Sequence, residues 1–194
     1  GFGAEPLPLG IACDDEESLA AMLAAARGAD LLLTIGGASV GDFDLVRRAL
    51  GRIGFDLGFH KVAVRPGKPL IFGRAGELVV LGLPGNPVSA AVTLLLFARP
   101  AIEAMLGVVR VACGEPTARL GRDLPANGER QDYLRATLAR NPDGDLVAIP
   151  FERQDSSMQR LCAAADCLVV RPPRAAPARA GERVTIVALG DDPP

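Results

Sequence analysis

The 194-residue sequence contains no tryptophan, one tyrosine, one histidine and four cysteines. Aromatic residues make up only 4%, and 21 Lys plus Arg against 23 Asp plus Glu leave a net charge of −2. A nucleic-acid surface wants a basic excess and rings on which bases stack, so this composition speaks against one. The cysteines are Cys13, Cys113, Cys162 and Cys167, and the closest two are spaced C-x4-C with no matching second pair. With His60 as the sole histidine, the chain cannot easily supply the four Cys/His ligands of a structural zinc site. Buried, inert thiols are expected, which suits a reducing, cytoplasmic location. A Ser-His-Asp centre would have to take His60 as its base. No apolar run reaches 18 residues free of charge or proline, which predicts no membrane-crossing helix. The opening Gly1-Phe2-Gly3-Ala4-Glu5-Pro6 has neither a basic region nor an apolar core, so no secretory leader is expected.

What is present is a 49% hydrophobic, 23% charged chain, the balance of a globular protein. Strand-like and helix-like patterns alternate over the first part. Leu7–Ile11 reads as a short strand, and Asp14-Asp15-Glu16-Glu17 opens a helix with capping-box spacing from Asp14 to Glu17. Asp30–Ile35 is a continuous apolar strand, and a helix begins near Asp42 to Asp44. Strands follow over Lys61–Val64, Leu70–Phe72 and Glu77–Leu83, and then a long helix from Val88 towards Leu106, which Pro100 should kink or split. This alternation predicts a three-layer α/β/α domain with a mostly parallel sheet over residues 1–108. From 109 to 194 the runs shorten and alternate with turn signals such as Asn127-Gly128 and Asn141-Pro142-Asp143-Gly144, predicting a small β-barrel-like domain.

Three loops follow strands of the first domain, where α/β sheets bind ligands. Gly36-Gly37-Ala38-Ser39-Val40-Gly41-Asp42-Phe43-Asp44 combines glycines that let a ligand approach the backbone, a hydroxyl in Ser39, and a helix start that favours anions. Asp42 and Asp44 in that turn suit a divalent cation bridging to a phosphate, or equally a simple aspartate cap. Arg65-Pro66-Gly67-Lys68-Pro69 places a forked cation and a mobile one on a stiff loop. Pro84-Gly85-Asn86-Pro87-Val88-Ser89 offers a cap in Asn86, a first-turn proline in Pro87 and a hydroxyl in Ser89.

Taken in order, Thr-x-Gly-Gly-x-Ser-x-Gly-Asp-x-Asp, Arg-Pro-Gly-Lys-Pro and Leu-Pro-Gly-Asn-Pro-Val-Ser resemble the molybdopterin molybdenumtransferases, the MoeA and gephyrin E-domain family. Tyr133–Ala136 and Ala180–Val184 are similar to that family's C-terminal β domain. The resemblance implies an enzyme of molybdenum cofactor biosynthesis. Such an enzyme inserts molybdate into adenylylated molybdopterin and releases AMP with Mg²⁺. It also implies roles for particular residues. Asp14, Asp42, Asp44, Arg65 and Lys68 would be catalytic, with Asp42 and Asp44 holding the metal. Gly36, Gly37, Ser39, Gly41, Pro84, Gly85, Asn86, Pro87 and Ser89 would line the pterin and phosphate site. The family's members are longer homodimers, so the chain is expected to correspond to their C-terminal portion, without the first strand and helix of the α/β domain. A non-catalytic molybdopterin-binding module and a molybdopterin adenylyltransferase-like enzyme remain as alternatives. The appended β domain and Arg-Pro-Gly-Lys-Pro speak against the latter.

Overall fold

The structure, a computed structural model, describes residues 2–37, 43–108, 116–155 and 159–190, without the side chains of Phe43, Asp44 and Arg47. The chain divides into two units: Gly1–Val62 with Gly67–Val109, and Ala63–Pro66 with Arg110–Pro194. The segment 63–66 therefore belongs with the second unit, which a single boundary near residue 108 does not anticipate.

The first unit has a four-stranded sheet in the order β1 (Leu31–Ile35), β5 (Leu78–Leu83), β4 (Pro69–Ala75), β2 (Phe55–Lys61). Only β1 and β5 run parallel; β5 with β4 and β4 with β2 are antiparallel. The sheet is thus mixed, not mostly parallel. The reason is local, because β4 and β5 are joined by Gly76-Glu77 alone and a parallel pair needs a crossover of a dozen residues or more. Helices cover both faces, as the alternation predicts. Leu32 and Val80 pack with Leu23 and Ala26 from the region of α1 (Glu16–Ala25) and with Ala49 and Leu50 of α2 (Phe43–Gly51). Leu81 and Leu83 face the other way, onto Ala90 and Ala98. Alternate residues of a strand point to opposite faces, so β5 is buried along nearly its whole length.

Three local expectations change. Leu7–Ile11 forms no strand, and Leu7 and Ile11 are 68% and 95% exposed. The cap of α1 is Asp15, whose side chain accepts from the Ser18 amide at 2.7 Å, not Asp14. The strand expected at Lys61–Val64 is instead β2, ending at Lys61, followed by the two-residue β3 (Val64–Arg65). At Pro100 the long helix is interrupted, as expected, by a change of helix type. The chain runs from α3 (Pro87–Thr93) through a π-helical turn (Leu94–Ala98) into α4 (Arg99–Met105). There the Arg99 amide donates to the Leu94 carbonyl, and this wider turn absorbs the missing proline donor. Among the described residues, this 19-residue stretch is the one helix long and apolar enough to cross a membrane, with a mean hydropathy of 1.5. Here Val88, Val92, Ala98 and Ile102 are buried.

The second unit is a closed barrel in the order β7 (Gln131–Arg140), β8 (Leu146–Pro150), β6 (Thr117–Leu120), β10 (Arg183–Ala188), β9 (Cys167–Arg171), back to β7. Closure rests on the length of β7. Asp132–Ala136 pairs with β9 and Ala136–Arg140 with β8, so the two halves of one strand serve the two neighbours. Inward residues including Leu120, Ala136, Leu138, Ala148, Val169 and Ile186 fill the interior, as a small barrel requires. The short helix α5 (Gln159–Ala163) lies between β8 and β9, and β3 lies outside the ring, parallel to β7.

The thiols divide by burial. Cys167 is fully buried in the barrel core, and desolvation pushes its pKa up from 9.0 to about 12. Cys13 is exposed, contrary to the expectation of uniformly buried thiols, and Cys162 is half-buried. Cys113 lies outside the described residues. A thiol reagent at pH 8 is expected to label Cys13 at once and Cys167 only on unfolding, because the thiolate is the nucleophile. Equal labelling of Cys167 in the native protein would contradict the packing described. Since the folded pKa of Cys167 is raised, its contribution to stability is complete below about pH 9 and falls as pH rises towards 12.

Candidate functional site

The parallel pair fixes the centre of the candidate site. Ile35 lies opposite Leu83, so the loops after β1 and β5 leave the sheet side by side. The Gly36 amide donates to the Leu83 carbonyl at 3.0 Å. Gly36 and Gly37 have φ of +90° and +67°, a backbone conformation that side-chain-bearing residues rarely adopt. A Cβ on Gly37 would come within 2.5 Å of the Val46 side chain, and one on Gly85 within 3.4 Å of the Gly36 Cα. Gly36 and Gly37 are thus required by their backbone conformation, and the Gly36 hydrogen bond to Leu83 ties the loop after β1 to the end of β5.

From that contact α3 begins. Asn86 accepts from the Val88 and Ser89 amides at 3.1 and 3.2 Å, and Pro87 occupies the first turn. Pro84 and Ser89 are buried, Gly85 and Pro87 exposed. Asn86 therefore acts as the rigid cap that its position predicts. The second loop reaches the same end of the sheet. Ile71 lies opposite Gly82 and Lys61 opposite Pro69, which brings Lys61 and Lys68, both exposed, to the end where Ile35 and Leu83 finish. The Lys68 carbonyl accepts from the Val62 amide at 3.0 Å, closing that loop.

Asp14 is exposed immediately before α1. Ser39, Gly41 and Asp42 lie outside the described residues, and Asp44 is described only as a residue of the first turn of α2. Among the described residues there is no cluster of three or more His, Cys, Asp or Glu side chains able to hold a metal. Residues 37–41 also spell G-x-S-x-G, the pattern of a hydrolase nucleophile turn. A Ser-His-Asp centre built on it would have to take His60 as its base. His60 lies on β2, at the opposite sheet edge from β1, three strand spacings or about 14 Å away.

The basic pair of the second loop is divided between the units: Lys68 belongs to the sheet unit and Arg65 to the barrel unit. Arg65 pairs across the β3–β7 ladder with Asp132, and its guanidinium Nη2 donates to Asp132 Oδ2. Asp132 is a residue that sequence reasoning missed, since a lone acidic residue in a strand run carries no pattern. It lines a cavity of about 340 Å³ in the barrel unit, with Arg65, Arg122, Asn127, Gln154 and Arg171. Beside it Arg135 is fully buried. Its Nη2 donates to the Asp155 carbonyl at 3.0 Å, and its backbone amide donates to Gln154 Oε1 at 3.0 Å. Gln154 Nε2 donates in return to the Arg135 and Phe151 carbonyls, both at 3.0 Å. Burial pushes the Arg135 pKa down.

Residues 1–104 match a family model described as a probable molybdopterin binding domain, and residues 117–189 match that of the MoeA C-terminal region, domain IV. The chain belongs to the molybdopterin-binding-domain family. A molybdopterin molybdenumtransferase of Bacillus subtilis is 33% identical over 193 residues, 98% of this chain and 44% of the relative. One from Synechococcus elongatus is 46% identical over 109 residues, 54% of this chain and 27% of the relative. Among solved structures, a MoeA molybdopterin biosynthesis protein from Pyrococcus horikoshii superposes with a TM-score of 0.77 at 29% identity, covering 98% of this chain and 45% of its own. The chain thus spans less than half the length of the full-length relatives it matches along nearly its whole extent. Within this molybdopterin-binding domain, the Gly36–Leu83 hydrogen bond, the Lys68 turn and the cap at Asn86 represent the three loops of the motif among the described residues.

Proposed function

We propose that the chain is the molybdopterin-handling portion of a molybdopterin molybdenumtransferase, which inserts molybdate into adenylylated molybdopterin and releases AMP. The observation that carries this reading is the meeting of Gly36 and Gly85 at one sheet end, with Lys68 entering β4 at that same end. Backbone amides at the loop after β1 and Lys68 suit a phosphate-bearing ligand. The ordered motifs and the names of the relatives supply its class.

Molybdate and the phosphates of the substrate repel each other, and more strongly as water is excluded. Lys68 and Arg65 offset that repulsion as cations, Arg65 by a fork and Lys68 as a mobile point charge. Gly37, Ser39 and Gly41 hold phosphate through backbone and hydroxyl donors, Gly36 turns the loop towards it with its own amide committed to the Leu83 carbonyl, and Pro84, Gly85, Asn86, Pro87 and Ser89 keep the neighbouring loop rigid. Asp14 adds a carboxylate before α1. Asp42 and Asp44, which flank the start of α2, are the hard oxygen donors that would hold Mg²⁺, and Mg²⁺ there would neutralise phosphate charge. The chemistry is positional and electrostatic, with no covalent enzyme intermediate.

An AMP-release assay on the full protein with Asp44→Ala tests the metal role. Mg²⁺-dependent release is expected to fall by about a hundredfold, the cost of losing one preorganised charge-stabilising group. Unchanged release would remove Asp44 from the mechanism.

A further inference from the structure

Asp132 is 97% buried by residue surface, being only 3% exposed, and a carboxylate so placed needs a cation. The chain supplies one from outside the barrel ring. Two residues leave the sheet unit as β3, pair in register with Gln131 and Asp132, and place Arg65 directly opposite Asp132. The Ala63 carbonyl accepts from the Gln131 amide at 2.9 Å, which fixes the same register. The pair is asymmetric: the Asp132 side chain is 4% exposed and that of Arg65 56%. Asp132 Oδ2 takes the Arg65 guanidinium, while Oδ1 is buried without a hydrogen-bond partner. A pair built only for stability would satisfy both oxygens, since an orphaned buried acceptor costs about 1–3 kcal/mol. Two further arginines line the cavity. Arg122 lies 3.9 Å from Glu152, and Arg171 donates to the Pro125 and Ala176 carbonyls. One end of Arg65 is therefore anchored on a buried carboxylate, and the rest of its fork remains open at the cavity.

We propose that Asp132 is a positioning residue: its buried carboxylate, set opposite Arg65 by the β3–β7 ladder, holds the Arg65 guanidinium at the barrel cavity in the orientation that receives an oxyanion. This rests on the reading of Arg65 as an anion-binding residue of a molybdenumtransferase.

The sign of the effect distinguishes positioning from simple charge. Asp132 is itself negative, so replacing it by a neutral residue should strengthen anion binding if only net charge matters. Positioning requires the opposite. Molybdate is titrated calorimetrically into the chain, its Asp132→Asn, Asp132→Glu and Arg65→Ala variants, and the Arg65→Ala/Asp132→Asn pair, with a thermal melt of each. Asp132→Asn is expected to bind molybdate about tenfold more weakly, as a misplaced binding group does. Asp132→Glu should be intermediate, about threefold weaker, because the carboxylate is kept but displaced. The double variant should be no weaker than Arg65→Ala alone, since Asp132 acts through Arg65. Parental or tighter binding by Asp132→Asn overturns the proposal, and so does a double variant weaker than Arg65→Ala. If Asp132→Asn does not fold, Asp132→Glu decides, and parental affinity there overturns it equally. Absence of molybdate binding by the parent chain fells the functional reading and this role with it, whereas a parent that binds alongside an indifferent Asp132→Asn fells this role alone.

Discussion

The Arg65→Ala/Lys68→Ala variant is expected to bind molybdopterin at least about a hundredfold more weakly than the parent chain. Hydrogen bonds to charged groups contribute about 1.5–3 kcal/mol each. Two of them lost together give about 3–6 kcal/mol, or two to four orders of magnitude in affinity. The two single variants should differ in a second observable. Lys68 is exposed, and its part in the loop is a backbone hydrogen bond that alanine keeps. Lys68→Ala should lose affinity without a change in melting temperature. Arg65→Ala leaves the buried Asp132 carboxylate without its ion pair, and should lower barrel stability as well as affinity, by about 3–5 kcal/mol if the carboxylate stays buried and ionised. Calorimetric titration beside thermal melts separates the two. Undiminished affinity in the double variant would remove both cations from the site.

Arg135→Ala is expected to destabilise the barrel by about 3–5 kcal/mol, enough to unfold a marginal domain. Among the described residues Arg135 is the largest fully buried side chain, so truncation leaves a cavity. It also removes a donor from Gln154 Oε1 and from the Asp155 carbonyl. The Arg135 backbone remains bound to Gln154 in both directions, which limits collapse into the space. Chemical denaturation followed by far-ultraviolet circular dichroism checks this. A loss below about 1 kcal/mol would mean that the network is dispensable or rebuilt by water.

The sheet unit was legible where periodicity and turn chemistry agree. Asp30–Ile35 and Glu77–Leu83 read as strands because their apolar runs are bounded by turn residues, and the structure has them as Leu31–Ile35 and Leu78–Leu83; Asn86-Pro87 announced α3 through its cap. Strand direction was not legible from helix–strand alternation. It is set by the two-residue Gly76-Glu77 connection, which permits only a hairpin. Leu7–Ile11 looks like a strand by composition, yet pairing needs a neighbour, and among the described residues β1 is the sheet edge without one on its outer side. In the barrel, Thr117–Leu120 escaped notice because four residues carry too little alternation to stand out.

The candidate site was legible as motifs, not as geometry. The order of the three loops predicts which residues matter, and the β1–β5 register then explains how Gly36 and Gly85 come together. Arg65 and Lys68 are three residues apart in sequence, which suggests one cationic patch, but β3 commits Arg65 to the barrel unit. Asp132 and Arg135 carry no local signature, because their roles arise from burial and from partners 67 and 19–20 residues away.

The central claim is that the chain binds molybdopterin through its three loops with help from a divalent cation. The most direct measurement is a calorimetric titration of molybdopterin into the 194-residue chain, with and without Mg²⁺. Saturable one-to-one binding is expected, tightening when Mg²⁺ is added and lost with Arg65→Ala/Lys68→Ala. Absence of saturable binding, or binding indifferent to both Mg²⁺ and the loss of the two cations, would contradict it.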